Sequence, residues 1–151
     1  LEMEKMMEST AVMDAVEAIR LRIPKEWGQW ISCGKGWYRI LINLDEQINY
    51  LFPEGYEIHQ IKEKFGGLRY YCGYSSKDPI RARIAENLIS QAERVASYTC
   101  EDCGVAKFGS YKPNLEDLTI LNTDIDDSVK LRTDGWYRTL CDSCEDARGQ
   151  K

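Results

Sequence analysis

The chain has 151 residues, a formal net charge of −5 at neutral pH, 43% hydrophobic residues and 11% aromatic residues. This composition is typical of a globular protein with one ordinary core, which excludes a disordered chain. No apolar run is long enough to span a bilayer, so no membrane partner is expected. The acidic balance also argues against a molecule whose whole surface attracts DNA or RNA.

The first half of the chain predicts two helices. Apolar residues recur at helical spacing over residues 4–22, and Pro24 ends that pattern. A second apolar stripe runs from Trp37 to Leu51 and stops at Pro53. We therefore expect two amphipathic helices joined by a connector that contains the sequence CGKG.

A third helix is predicted from about residue 79 onward. Asp78 is a favourable N-cap residue, and Pro79 suits the first helical position because its missing N–H is not needed there. The expected apolar stripe consists of Ile80, Ile84, Leu88, Ala92 and Val95.

The segment between the second and third helices predicts a β-hairpin. Gly66 and Gly67 are the expected loop residues, since both accept positive φ. This loop would place Phe65 opposite Leu68 on the core side of the hairpin. The remaining core-side residues would be Ile61, Tyr70 and Cys72.

The other face of this hairpin collects Lys62, Lys64, Arg69 and Tyr71. With the expected loop, Lys64 lies directly opposite Arg69, and like charges at that separation repel each other. An acidic group that covers this face is one explanation, with the protein's own carboxylates, an acidic partner protein or phosphates as candidates. A solvated face with splayed side chains is the alternative.

Two Cys-x-x-Cys pairs, Cys100 with Cys103 and Cys141 with Cys144, predict one tetrahedral zinc site. Four protein ligands leave no open position for water, so the zinc would be structural rather than catalytic. Two redox motifs or a disulfide framework are the rival interpretations. They fit less well, because Cys100 follows a helical pattern and the chain is not cysteine-dense.

The C-terminal part predicts a separate zinc module. Cys103-Gly104 resembles a zinc knuckle, short strands are expected at residues 118–121 and before Cys141, and a short helix is expected to follow Cys141. These elements resemble a treble clef, with a zinc ribbon carrying an inserted loop as the alternative. The predicted fold class is α+β: helices packed on a small antiparallel hairpin sheet in residues 1–99, plus a four-cysteine zinc module in residues 100–151.

Catalytic signals are weak. His59 is the only histidine, and no nucleophile or orienting carboxylate can be assigned to it from the sequence. Cys33 and Cys72 fit small buried side chains better than nucleophiles. Asp124 and Asp126 resemble the opening of a calcium loop that lacks its glycine and its closing glutamate, so a solvated acidic loop is expected there.

Three stretches carry a resemblance: GWYRILINLDEQI at residues 36–48, QIKEKFGGLRYY at 60–71 and GWYRTLCDSC at 135–144. They resemble a group of small uncharacterised proteins of bacteria, prophages and phages, and the similarity covers most of the chain after residue 35. The resemblance implies an accessory protein of a mobile element, in the cytoplasm of a bacterial or phage-infected cell. It assigns no catalytic residues.

We therefore expect a non-catalytic zinc-binding interaction protein that binds a host or defence protein. The expected acidic contact residues are Glu116, Asp117, Asp124, Asp126, Asp127 and Asp134. A nucleic-acid-binding regulator that uses the basic hairpin face is the first alternative. A small enzyme built around His59 or Cys33 is the second.

Overall fold

A computed structural model of the protein describes residues 2–75, 77–108 and 125–149. The helices are α1 (Glu2–Arg22), α2 (Tyr38–Leu51), α3 (Pro79–Ala96) and α4 (Asp142–Gly149). The strands are β1 (Ile31–Ser32), β2 (Tyr56–Lys64), β3 (Gly67–Tyr74), β4 (Lys130–Arg132) and β5 (Arg138–Leu140). The α+β class is confirmed. Within these ranges, no helix combines the length and the apolarity that crossing a membrane requires.

The helices begin and end close to the predicted positions. Asp78 caps α3, because its Oδ1 accepts the backbone N–H groups of Ile80 at 3.0 Å and Arg81 at 3.3 Å. The predicted apolar stripe of α3 is wrong in its first half, since Ile80 and Ile84 are exposed. The buried residues of α3 are alanines, Ala85, Ala92 and Ala96, whose small side chains allow close packing against the core.

The first sheet has the order β1-β2-β3. β2 and β3 form the expected antiparallel pair, and β1 adds a parallel strand that the sequence did not predict, with Ile31 beside Ile61 and Ser32 beside Lys62. The inner face of this sheet packs against α1, α2 and α3 in one hydrophobic core. Fully buried members of that core include Trp37, Leu41, Ile48, Ile61 and Leu68.

The hairpin turn differs from the predicted one. Phe65 and Gly66 occupy the turn, with φ of 54° and 82°, and Lys64 pairs with Gly67. The turn is thus centred one residue earlier, which shifts the cross-strand partners of residues 61–64 by two positions and keeps their side chains on the predicted faces. A further register shift occurs between Ile58 and Gln60. Phe65 is the exception, because it lies in the turn and is 69% exposed instead of in the core.

A partly buried polar network links the first two helices to the sheet. Asp45 on α2 pairs with Arg22 at the end of α1 at 2.7 Å and accepts the Tyr56 hydroxyl at 2.9 Å. The Tyr56 hydroxyl also hydrogen-bonds to the Tyr70 hydroxyl. Burial, together with the neighbouring Tyr70 and Asp45, raises the pKa of Tyr56 well above its usual range. Both tyrosines therefore act as neutral structural groups.

Candidate metal centre and binding face

The first cysteine pair lies in a tight turn after α3. The Gly104 N–H donates to the Cys100 carbonyl at 2.9 Å, and Gly104 has a φ of 87°, which suits glycine. The Cys100 N–H donates to the Val105 carbonyl at 2.8 Å. These bonds fold residues 100–105 back on themselves, so the thiols of Cys100 and Cys103 point toward one position. This geometry agrees with the predicted knuckle.

The second pair lies where a strand gives way to a helix. β4 and β5 form a two-stranded antiparallel sheet, Cys141 follows β5 directly, and Cys144 lies in the first turn of α4. The Glu145 N–H donates to the Cys141 carbonyl at 3.0 Å and closes that turn. The predicted strand before Cys141 and the predicted terminal helix are confirmed. The strand predicted at 118–121 lies outside the described residues.

All four thiols meet in one cluster. The Sγ atoms of Cys100, Cys103, Cys141 and Cys144 lie within 4.8 Å of one another, so the group could hold a metal ion. The Sγ atoms of Cys103 and Cys141 are 3.8 Å apart. A tetrahedron with Zn–S bonds of about 2.3 Å has an edge of about 3.8 Å, so this spacing fits zinc. All six cysteines are within the described residues and none forms a disulfide.

The protonation of the cluster depends on burial and on local hydrogen bonds. Burial raises the pKa of Cys103 to about 11 and also raises that of Cys144. At Cys100 burial acts in the same direction, but hydrogen bonds from the backbone at Cys103, Cys141 and Asp102 outweigh it and lower the pKa. A bound divalent cation favours the thiolate at every ligand, so metal binding releases protons from this cluster.

Glu101, between the first two thiols, joins the thiol cluster to the helical core. Its buried carboxylate accepts the Gly34 N–H at 2.8 Å and pairs with Arg138 at 3.3 Å. Its backbone accepts the Gly36 N–H at 2.7 Å and donates to the Thr139 carbonyl at 2.9 Å. Burial raises the pKa of Glu101, and the hydrogen bond from Gly34 and the charge of Arg138 oppose that rise. No role for Glu101 was predicted from the sequence.

The CGKG segment was the available signal for that contact. A Cβ atom at Gly34 would lie 2.4 Å from the Glu101 carbonyl oxygen, and one at Gly36 would lie 2.2 Å from the Cys100 carbonyl oxygen. Only glycine permits backbones to approach so closely. The indole N–H of Trp37 also donates to the Thr99 carbonyl at 2.9 Å. The turn that carries the first thiols is thus held by the N-terminal half of the chain.

The predicted basic residues lie together on the outer face of the β1-β2-β3 sheet. The predicted pair of like charges was Lys64 and Arg69, whereas the structure places Lys62 opposite Arg69. The Lys62 Nζ is 5.9 Å from the centre of the Tyr71 ring, within the range of a cation–π contact. Among the described residues, Lys62, Lys64 and Arg69 form no ion pair.

Two hollows with aromatic walls adjoin this basic face. The first has a volume of about 500 Å³ and lies between the hairpin tip and the turn that connects β4 to β5. Its walls include Lys62, Lys64, Phe65, Trp136 and Tyr137. The second, of about 330 Å³, lies beside the middle of the same strands, where its walls are Trp27, His59, Gln60 and Tyr71. Of these aromatic residues, only Tyr71 was predicted to lie on the basic face.

The predicted acidic contact residues are only partly described. Glu116, Asp117 and Asp124 lie outside the described residues. Asp126 is engaged in a local turn, because its Oδ1 accepts the Ser128 N–H at 2.9 Å, and hydrogen bonds from Ser128 lower its pKa. Asp127 and Asp134 are exposed. Within the described ranges, the four cysteines are the sole group of metal-binding side chains, so the structure adds nothing to the calcium resemblance.

The candidate catalytic residues have ordinary structural surroundings. His59 stacks on Trp27 with ring centres 4.5 Å apart, and its Nε2 is 3.0 Å from a Glu57 carboxylate oxygen. Burial raises the pKa of Cys33 to about 12 and that of Cys72 to about 11. Thiols with such pKa values are protonated at neutral pH and are weak nucleophiles. Both are partly buried against the core, close to the predicted environment.

No protein-family model, curated protein or solved structure matches the chain. The fold and the thiol cluster therefore define the class of protein by themselves: an α+β protein with a four-cysteine group that could hold a metal ion. The treble-clef assignment and the resemblance to phage and prophage proteins remain predictions.

Proposed function

We propose that this is a non-catalytic binding protein whose C-terminal module is stabilised by structural zinc. The single observation that carries the proposal is the closed set of four cysteine thiols within 4.8 Å of one another. A zinc ion with four thiolate ligands has no coordination position for a substrate or an activated water. Its contribution is to folding free energy, because the ligands converge only in the folded chain.

The zinc would fix one wall of a binding face. Trp136 and Tyr137 lie just before β5, and β5 leads directly into Cys141. The Thr139 hydroxyl donates to the Gly66 carbonyl at 2.8 Å, and the Trp136 indole N–H donates to Glu63 at 2.8 Å. A module held by metal thus presents its aromatic residues beside the basic face of the hairpin. We infer that this combined surface is where the protein binds its ligand.

The zinc part of the proposal is tested by metal analysis of the purified protein. One zinc per chain is expected, and a strong chelator should lower the thermal midpoint of unfolding. Cys103→Ser should abolish stoichiometric zinc, because it removes one ligand of four. Cys72→Ser is the matched control, since Cys72 is partly buried but lies outside the cluster. Purified protein without zinc, or a chelator without effect on folding, would contradict the proposal.

The binding-face part is tested separately with immobilised, zinc-loaded protein. Macromolecules retained from a bacterial lysate, whether protein or nucleic acid, should be lost when Lys62→Ala and Trp136→Ala are combined. Both side chains border the same hollow, and Trp136 is 70% exposed, so the fold should survive the changes. Equal retention by this double variant would refute the assignment of the face.

A second candidate is the predicted contact with a host or defence protein through acidic residues. The acidic excess of residues 100–151 supports it, as do the exposed positions of Asp127 and Asp134. Complementary charge would then steer association with a basic partner. Replacing Asp127 and Asp134 by Asn should weaken capture of such a partner and reduce its salt dependence. Unchanged capture would remove this candidate.

A further inference from the structure

We propose that the outer face of the β1-β2-β3 sheet binds single-stranded nucleic acid, with bases stacked on exposed aromatic rings and phosphates held by the unpaired cations. The proposal names the ligand class of the binding face inferred above and rests on that inference. We call the surface the aromatic–basic strip. Its principal members are Lys62, Arg69 and Tyr71 on the sheet face, Phe65 in the hairpin turn, and Trp27 and Trp136 in the two adjoining hollows.

Exposed aromatic rings occur along the whole strip. Trp136 is 70% exposed, Phe65 69%, Trp27 54% and Tyr71 44%. Large aromatic side chains bury much apolar area when they fold inward, so several of them exposed on one surface indicate a binding site. Every nucleobase has a flat π-face, and stacking on such rings is how proteins hold unpaired bases without reading their sequence.

Cations alternate with these rings. Lys62 and Arg69 are paired across the strands, the Lys62 Nζ lies 5.9 Å from the Tyr71 ring, and the Lys64 Nζ lies 5.7 Å from the Phe65 ring. None of the three cations has an ion-pair partner among the described carboxylates. A row of unpaired positive charges beside aromatic platforms matches the alternation of phosphate and base along a single strand.

The one carboxylate in the larger hollow is already engaged. Glu63 accepts the Gly66 N–H at 2.7 Å with one oxygen and the Trp136 indole N–H at 2.8 Å with the other. These neutral donors leave its negative charge in place, and the bond to the indole fixes the orientation of the Trp136 ring. An exposed ring that is already held in place loses less conformational entropy on binding.

The dimensions of the strip favour a single strand over a duplex. Residues 59 to 65 of the hairpin span roughly 20 Å at the usual rise of a β-strand, and the two hollows lie at either end of this span. A duplex keeps its bases stacked inside, where rings on an open sheet face cannot reach them. An acidic peptide would satisfy the cations but would leave the exposed rings without flat partners. Unpaired bases use both sets of groups.

The direct test is a binding titration with zinc-loaded full chain at low salt. The probes are oligothymidylate, oligouridylate, a DNA duplex of equal length and a glutamate-rich peptide. Both single strands should bind more tightly than the duplex. With three phosphate contacts, the slope of log K against log salt should be about −2. Tighter binding of oligothymidylate would indicate DNA as the ligand, and tighter binding of oligouridylate would indicate RNA. Either result supports the proposal.

Variants separate stacking from charge. Trp136→Ala should weaken single-strand binding about tenfold or more, whereas Trp136→Phe keeps a ring and should stay within a few-fold of the original affinity. Lys62→Ala and Arg69→Ala should each reduce the salt slope by about 0.7. Tyr50→Ala and Arg83→Ala are the matched controls, because these exposed residues lie on α2 and α3, away from the strip, and should leave binding unchanged.

Each contrary result has a distinct meaning. The nucleic-acid inference is overturned if neither single strand binds to the folded, zinc-loaded protein, or if the duplex binds equally well and Trp136→Ala has no effect. Binding of the glutamate-rich peptide alone, weakened by Lys62→Ala, also overturns it but leaves the proposed binding face intact. The proposed binding face itself is overturned if the variant with both Lys62→Ala and Trp136→Ala retains the same macromolecules from the lysate as the original protein.

Discussion

Replacing Glu101 by alanine tests whether the contact between the metal cluster and the helical core is important for stability. The Glu101 side chain is 1% exposed, and its carboxylate holds both the Gly34 N–H and Arg138. Alanine removes both contacts but leaves the cysteine ligands unchanged. Glutamine is the matched variant, because its side-chain oxygen can still accept from Gly34 while the negative charge is lost.

The expected magnitude follows from these two contacts. A hydrogen bond from a backbone N–H to a charged group contributes about 1.5–3 kcal/mol, and alanine leaves that N–H without its partner. The ion pair with Arg138 adds at most about 1 kcal/mol, because the Arg138 side chain is 29% exposed and therefore screened. We expect Glu101→Ala to lower the free energy of unfolding by about 2–4 kcal/mol. Glu101→Gln should lower the free energy of unfolding by about 1 kcal/mol or less. The neutral side chain loses the ion pair with Arg138, but it also avoids the free-energy penalty of burying a charge.

Equilibrium urea unfolding of the zinc-loaded proteins at neutral pH measures both changes, with zinc content determined on the same samples. A loss of about 2–4 kcal/mol would lower the thermal midpoint by about 5–15 °C in a chain of this size. The reasoning fails if alanine and glutamine are equally destabilising, since the Gly34 contact would then be unimportant. It also fails if alanine costs less than about 1 kcal/mol while zinc remains stoichiometric.

Two further predictions concern the glycine contact and the buried thiol. Gly36→Ala should lower the free energy of unfolding by about 1–3 kcal/mol, because the new Cβ would lie 2.2 Å from the Cys100 carbonyl oxygen. Gly149→Ala meets no atom within 4 Å and should leave urea unfolding unchanged. The pKa of Cys33, raised by burial to about 12, predicts slow alkylation by iodoacetamide at neutral pH and a rate that rises about tenfold per pH unit toward that value. The alkylation of Cys33 in the folded protein can be measured by mass spectrometry. Rapid alkylation at pH 7 would contradict a thiol pKa raised by burial.

Local signals in the sequence were sufficient for the helix boundaries and for the members of the four-cysteine cluster. Prolines stop a helix by removing a donor, and Asp78 caps α3 with its own side chain, so these boundaries depend on neighbouring residues alone. The spacing of the two Cys-x-x-Cys pairs likewise constrains each pair locally. The convergence of the two pairs could be predicted because zinc requires four ligands.

The remaining features depend on tertiary contacts that no local pattern shows. Two consecutive glycines favour a turn at Gly66-Gly67, but in the structure Phe65 takes the left-handed conformation at the first turn position. Gly66 packs against the second sheet, where a Cβ atom would lie 2.3 Å from Leu131. β1 has only two residues and forms through pairing with β2. Trp136 is 73 residues from Glu63, its hydrogen-bond partner in the hairpin, so the aromatic–basic strip could not be assembled from the sequence.

The close approach of the CGKG segment to the cysteine turn has a thermodynamic consequence. Gly34 donates to the Glu101 carboxylate and Gly36 to the Glu101 carbonyl, and Gly36 lies close against the Cys100 carbonyl oxygen, so both glycines support the turn that directs two thiols to one point. If folding of the helical core favours metal binding, then metal binding must favour folding of the core by the same free energy. A change deep among the helices should therefore weaken zinc affinity without touching a ligand, and residues 98–149 alone should bind zinc less tightly than the whole chain.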